Sequence, residues 1–158
     1  MRKTELNTVP SVDETDLQIM SLLKDNARLS MKAIAEKTFL SSTAVAARVE
    51  KLEREGYISG YYAALNAEKF GLGIRAFINL EIEPIQKREF YPYVQSCKNV
   101  IECNCVTGEY SMILTVVFPS TSALDAFIGE LQHFGKTKTQ IVFSTPVARR
   151  EVLGDIQI

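Results

Sequence analysis

The spacing of apolar positions changes partway along the chain. Up to Gly56 the period is helical. Asp13 is a good N-cap, and Asp16 at the third helical position can reach back to it as a capping box. Ile19, Met20 and Leu23 follow at helical spacing, which predicts a first helix over about Glu14–Lys24. Ser30 caps a short second helix carrying Ile34 and Ala35. Ser41 caps a third, in which Val45, Val49 and Leu52 recur at i, i+4 and i+7, and Gly56 stops it. The tyrosine-rich stretch Tyr57–Leu65 reads as extended, a small wing and then a connecting strand.

From Gly73 the period becomes two. Ile74, Ala76, Ile78, Leu80 and Ile82 alternate with Arg75, Phe77, Asn79 and Glu81, so a half-buried strand runs up to Pro84. A short helix follows near Glu89–Ser96, with Pro92 close to its start. Val100–Thr107 and Ser111–Phe118 read as a hairpin turning around Gly108. Ser120 or Ser122 caps the next helix, whose Leu124, Phe127, Ile128 and Leu131 form an apolar stripe. Thr137–Thr145 is the last strand.

The pattern is α+β. A winged helix-turn-helix occupies residues 1–62, a connecting strand or linker 63–73, and a ferredoxin-like βαββαβ domain 74–158. The strand Ser111–Phe118 is apolar on both faces: Met112, Leu114, Val116 and Phe118 on one, Ile113 and Val117 on the other. The domain's own two helices cover one face. A second copy of the sheet covers the other, which predicts a homodimer or larger assembly. The alternative is that the tail Glu151–Ile158 folds across it.

Composition narrows the class. With 158 residues, 46% hydrophobic and 23% charged, the chain is globular rather than disordered or collagen-like. No apolar run approaches the roughly 18 residues of a membrane span, and the polar start Met1–Pro10 lacks the apolar centre of a secretory signal. Three cysteines without repeated spacing make no disulfide framework. The expectation is a cytoplasmic protein.

Net charge is −1, yet Arg28–Arg54 holds six bases against three acids, a local basic patch within a neutral whole. That patch suits a helix entering a major groove. Ser41, Ser42 and Thr43 stand at the N-terminus of the third helix, where hydroxyls and amides can hold a phosphate. Arg48 and Lys51 lie on later turns, and Ser30 and Lys32 open the second helix. The competing reading is a plain three-helix bundle with a solvated charged face.

The stretch Val12-Asp13-Glu14-Thr15-Asp16, then Ile19-Met20, Leu23 and Asn26-Ala27-Arg28-Leu29-Ser30, resembles the opening of the Lrp/AsnC family of transcription regulators. So do Ala33-Ile34-Ala35, Leu40-Ser41, Val45, Arg48-Val49, Leu52-Glu53, Gly56-Tyr57-Ile58 and Gly60-Tyr61. Val106-Thr107-Gly108 is similar to the family's glycine turn, and Thr137-Lys138-Thr139-Gln140-Ile141-Val142 to its last strand. The resemblance covers roughly Val12–Arg150. It implies a winged helix-turn-helix joined to a ferredoxin-like effector domain. It also implies dimers or rings of dimers such as octamers, operator DNA as partner, and an amino acid bound between subunits.

Three departures stand out against the family. Phe39 occupies the turn position that usually carries glycine. Ala46 and Ala47 replace polar or basic residues of the recognition helix, leaving specificity to Ser42, Thr43, Arg48, thymine-methyl contact by alanine, and DNA shape. Arg48 has an alternative role, bracing the fold by pairing with an acid such as Glu50 or Glu53. In the effector turn Thr107-Gly108-Glu109-Tyr110-Ser111, Ser111 stands where the family often has aspartate, a weaker partner for an ammonium group. Glu109 compensates only if the strand continues unbroken to it. Thr137 and Thr139 share a strand face and complete a polar pocket, unless they reflect only threonine's liking for strands.

Cys103 and Cys105 share a strand face, with Cys97 nearby in sequence; small apolar roles suit them better than a soft-metal or redox site. No metal or cofactor is expected. One histidine, His133, supports no acyl-transfer triad, and eight scattered glycines form no phosphate loop, so the chain reads as a non-enzyme. Two alternatives to an effector-controlled regulator remain. One is a small-molecule-binding or catalytic dimer whose helical head binds protein. The other is an effector-independent protein that coats DNA.

Overall fold

A computed structural model of the chain describes residues 12–151 and 153. Met1–Pro10 lie outside the described residues. The chain divides into two compact units, one holding the described residues up to Ala64 together with the segment from Arg149, the other Leu65–Ala148.

The first unit contains α1 (Glu14–Asp25), α2 (Met31–Thr38) and α3 (Ser42–Arg54). The anticipated capping box forms: Asp16 N–H donates to Asp13 Oδ1 at 2.8 Å and Asp13 N–H to Asp16 Oδ2 at 3.3 Å. Ser30 and Ser41 cap the next two helices, each hydroxyl oxygen accepting the third residue's N–H at 3.1 Å. Ile19, Ile34, Val45 and Leu52 are fully buried between the helices. Tyr57–Leu65 forms no strand. A wing strand needs a neighbouring edge to supply its ladder bonds, and this unit has no strand among its described residues. The segment is instead tied back to α3 by the Tyr61 hydroxyl, which donates to Glu53 Oε1 at 2.8 Å.

The second unit runs β1 (Ile74–Ile82), α4 (Lys87–Ser96), β2 (Val100–Cys105), β3 (Met112–Phe118), α5 (Thr121–Leu131) and β4 (Gly135–Ile141). The sheet order is β2-β3-β1-β4, antiparallel throughout, the ferredoxin-like arrangement. Ala76, Ile78 and Leu80 of β1 and Met112, Leu114 and Val116 of β3 meet Phe90 of α4 and Leu124 and Leu131 of α5 on one face.

Five element ends differ from the sequence expectation. The α4 helix begins at Lys87, after a short 3-10 turn over Pro84–Gln86, so Pro92 lies inside it. The hairpin strands stop at Cys105 and resume at Met112, because the turn around Gly108 takes up the residues between. The last strand begins at Gly135 rather than Thr137 and ends at Ile141 rather than Thr145. It starts early because Gly135 lets two backbones approach; a β-carbon there would overlap the Glu81 carbonyl oxygen. It ends where β1 runs out: Ala76 pairs with Ile141, and Val142 N–H donates one last bond to Arg75 O.

The sheet's other face carries Phe77, Ile113 and Val117, with Ile101 exposed at a bulge in β2. Leu153 packs against the helical cluster of the first unit, which is why the segment from Arg149 groups there rather than with residues 74–148. Of the tail Glu151–Ile158, only Glu151 and Leu153 are described. No described helix is long and apolar enough to cross a membrane.

Candidate nucleic-acid interface and effector turn

The α3 helix buries Val45, Val49 and Leu52, and that choice fixes what its other side shows. Thr43, Ala47, Glu50 and Arg54 recur at i, i+4, i+7 and i+11, and all four are exposed; Ser42 and Ala46 lie beside them. The first turn is therefore small, hydroxylated and open. Ser41 uses an oxygen lone pair to cap Ala44 N–H and keeps its own proton to donate; Ser30 does the same at α2. Lys32 and Lys37 are exposed on α2.

Arg48 occupies the bracing role, with different acids from those anticipated. Its Nη1 donates to Asp13 Oδ2 and Asp16 Oδ1, both at 2.7 Å, rather than to Glu50 or Glu53. Lys51 Nζ lies 3.8 Å from Asp16 Oδ2. The Asp16 side chain is 1% exposed, so a buried carboxylate at the start of α1 holds the middle of α3. The Asp16 N–H, and then the Arg48 guanidinium, hold the Asp13 carboxyl below its ordinary value. The two aspartates in turn raise Arg48. The sequence pattern points to Arg48 and Lys51 as the reaching cations, whereas the exposed stripe of α3 ends on Arg54. The buried stripe Val45–Val49–Leu52 already contained the signal, since Arg54 falls opposite it.

In the second unit the turn Thr107–Ser111 closes with Val106 N–H donating to Ser111 O at 2.9 Å. Gly108 has φ +117, a region closed to side-chain-bearing residues, so this turn demands glycine. The Ser111 hydroxyl faces β1: it accepts from Ile82 N–H at 3.2 Å and lies 3.3 Å from Ile82 O. It extends the ladder by one pair beyond the strand. The strand does not continue to Glu109, which instead reaches over β1 to Lys136 Nζ at 4.0 Å. Thr137 and Thr139 pair with Leu80 and Ile78, on the helix-covered face near that same end. Thr137 Oγ1 accepts from Gln132 Nε2 at 3.5 Å. Thr107 and Glu109 are exposed and Tyr110 is half-buried.

Cys97 and Cys103 pack half-buried against the sheet core, and burial pushes the Cys103 thiol up. Cys105 differs from the expected buried role: it is exposed, 3.8 Å from Lys87 Nζ.

Residues 12–59 match the model of a winged helix-turn-helix DNA-binding domain, and residues 75–152 that of the Lrp/AsnC ligand-binding domain. The HTH-type transcriptional regulator LrpA of Bacillus subtilis is 36% identical over 132 residues, covering 83% of this chain and 97% of that protein. The chain belongs to the Lrp/AsnC family. Among solved structures, Bacillus subtilis LrpC superposes with a TM-score of 0.82 at 28% identity, over 87% of this chain and 99% of that one. A Neisseria meningitidis transcriptional regulator, in complex with L-methionine, superposes with a TM-score of 0.83 at 27% identity, over 91% and 97% of the two chains. This Lrp/AsnC protein is thus a helix-turn-helix transcriptional regulator with a ligand-binding domain, not an enzyme.

Proposed function

We propose that the helical domain, residues 1–62, reads duplex DNA through the first turn and exposed stripe of α3. The open N-terminal turn of that helix carries the reading. Ser41, Ser42 and Thr43 hold a phosphate, with Ser30 and Lys32 on the neighbouring backbone. Ala47 meets thymine methyl groups, and Glu50 can accept from a cytosine amino group. Arg54 supplies the cation at the far end of the stripe. Arg48 and Lys51 act one step back, fixing the angle of α3 through Asp16. A salt titration tests this: affinity for a duplex falls steeply with salt, with a slope set by the phosphates contacted. Salt-independent binding, or none at low salt, would favour a helical head that binds protein.

Residues 63–73 link this head to the ligand-binding and dimerisation domain, residues 74–148, and the segment from Arg149 returns to the helical head. A second copy covers Phe77, Ile113 and Val117, giving a homodimer that assembles further into rings such as octamers of four dimers. Two recognition helices then meet two half-sites about one helical turn, or a multiple, apart. Such a regulator works in the cytoplasm, where the DNA is.

The effector is an amino acid held at the turn Thr107–Ser111, with Thr137 and Thr139 behind it. L-methionine in the Neisseria regulator supports that ligand class. Ser111 is committed to Ile82, so the ammonium group goes to Glu109, and the ligand carboxylate to Lys136 and the backbone N–H groups of the turn. Tyr110 flanks the side chain. A thermal-shift screen against the twenty amino acids tests it, since a ligand of the folded state raises the melting temperature by mass action. A blank screen would favour the effector-free, DNA-coating reading.

A further inference from the structure

The turn between α2 and α3 holds Phe39 at φ 56° and ψ 31°, the left-handed region. Among the described residues it is the one non-glycine with positive φ. Bulky L-residues avoid that region because the β-carbon crowds the carbonyl oxygen; glycine and asparagine accept it. Such strain persists where a fold over-determines it or where a function uses it. The fold needs the bend: Phe39 and Leu40 N–H both donate to Ala35 O, and Leu40 tucks against the helical core. It does not need the ring. Phe39 is 96% exposed and stacks on no other aromatic among the described residues.

The ring stands two residues before the Ser41 cap, at the corner where α3 begins, with Lys37 exposed on the preceding turn. The α3 surface beside it is Ser42, Thr43, Ala46 and Ala47, too small to fill a groove and poor in base-edge donors. An aromatic ring supplies what that surface lacks, an apolar contact with thymine methyl groups and deoxyribose edges.

We propose that Phe39 is a specificity-determining DNA contact, its ring meeting thymine methyl groups at the edge of the major groove entered by α3. This rests on the reading of α3 as the groove helix. The partner is duplex DNA rather than protein because the strained turn lies between Lys37, exposed in the last turn of α2, and the exposed hydroxyls that open α3.

The test uses the full-length protein and a duplex selected from random sequence by the wild type. Phe39→Gly and Phe39→Asn both suit the left-handed backbone, so neither melts below the wild type. Both bind the selected duplex about fivefold or more weakly, as expected for losing a buried apolar contact, and an unrelated duplex within about twofold. Replacing thymine by uracil at the contacted position weakens the wild type and leaves Phe39→Gly unchanged. Equal affinity of the wild type and both variants for the selected duplex would overturn the proposal. So would an altered oligomeric size in Phe39→Gly, which would mark the ring as a protein contact. Ala47→Asp separates the two levels. If it abolishes binding while Phe39→Gly does not alter it, only the role of Phe39 is lost; if Ala47→Asp binds normally, the reading of α3 fails.

Discussion

Removing Arg48 separates a brace from a DNA contact. In Arg48→Ala, Asp16, whose side chain is 1% exposed beneath Arg48, loses the guanidinium at 2.7 Å. Breaking a buried ion pair costs about 3–5 kcal/mol, and an exposed pair about 0–1 kcal/mol. This pair is mixed, since the Arg48 side chain is 33% exposed and Lys51 remains at 3.8 Å from Asp16. The loss should therefore be about 2 kcal/mol. That lowers the melting temperature by roughly 4–8 °C if the chain melts as one unit, and by about twice that if the helical unit melts alone. Thermal unfolding followed by circular dichroism measures it. A double-mutant cycle with Asp16→Asn should return a coupling of at least about 1 kcal/mol.

DNA affinity should fall in Arg48→Ala because α3 is less firmly aimed, while the salt slope of binding stays at the wild-type value. An unchanged melting temperature with a slope smaller by about one would refute the brace and make Arg48 a phosphate contact. Acid offers an independent check. The folded Asp13 carboxyl lies below its ordinary value of 3.8, so its stabilising share is whole above that pH. The share disappears as pH falls through the folded value, and Arg48→Ala should flatten this part of the acid-stability curve.

Other parts of the fold give shorter tests. Gly135→Ala drives a β-carbon into the Glu81 carbonyl and should destabilise the sheet unit by at least about 2 kcal/mol, read from urea unfolding. Burial, and then Glu53, push Tyr61 up to about 12 from 10.0. Folding thus favours the protonated phenol: stability from this group is complete below pH 10 and drains away between 10 and 12. Tyr61→Phe should remove that alkaline loss, and an identical pH curve in the variant would rule it out. Phe77→Glu should yield monomers by light scattering and weaken binding to a two-half-site duplex; a dimer of wild-type mass would show that the sheet pairs elsewhere.

Much of this architecture can be read from local chemistry. Asp13, Ser30, Ser41 and Ser120 announce their helices because a short oxygen-bearing side chain before an apolar stripe satisfies otherwise orphaned N–H groups. The alternation in Ile74–Ile82 announces β1 for an equally local reason. What stays hidden depends on neighbours distant in sequence. Arg48 reaches back 32 residues to Asp16, and no local pattern names that partner. The early start of β4 depends on Glu81 lying against Gly135, and the missing wing strand on the lack of an edge to pair with.

The candidate sites were legible in position but not in orientation. Ser111 stands out by its place in the turn, yet its hydroxyl faces Ile82, and only the β1–β3 register shows this. That orientation changes the chemistry expected of the pocket. A family aspartate here could meet an ammonium group directly, whereas this serine substitutes for a strand's backbone. The one carboxylate of this turn, Glu109, faces Lys136. An amino acid binding there must therefore exchange with an existing ion pair. Both of those side chains are about two-thirds exposed, so the pair itself is weak and the exchange inexpensive. Lys136→Met should then alter effector affinity without altering stability, by leaving Glu109 unopposed for the ammonium while removing a cation from the ligand carboxylate. Glu109→Gln should weaken binding of a free amino acid more than that of its deaminated acid; equal losses for the two ligands would place the ammonium elsewhere.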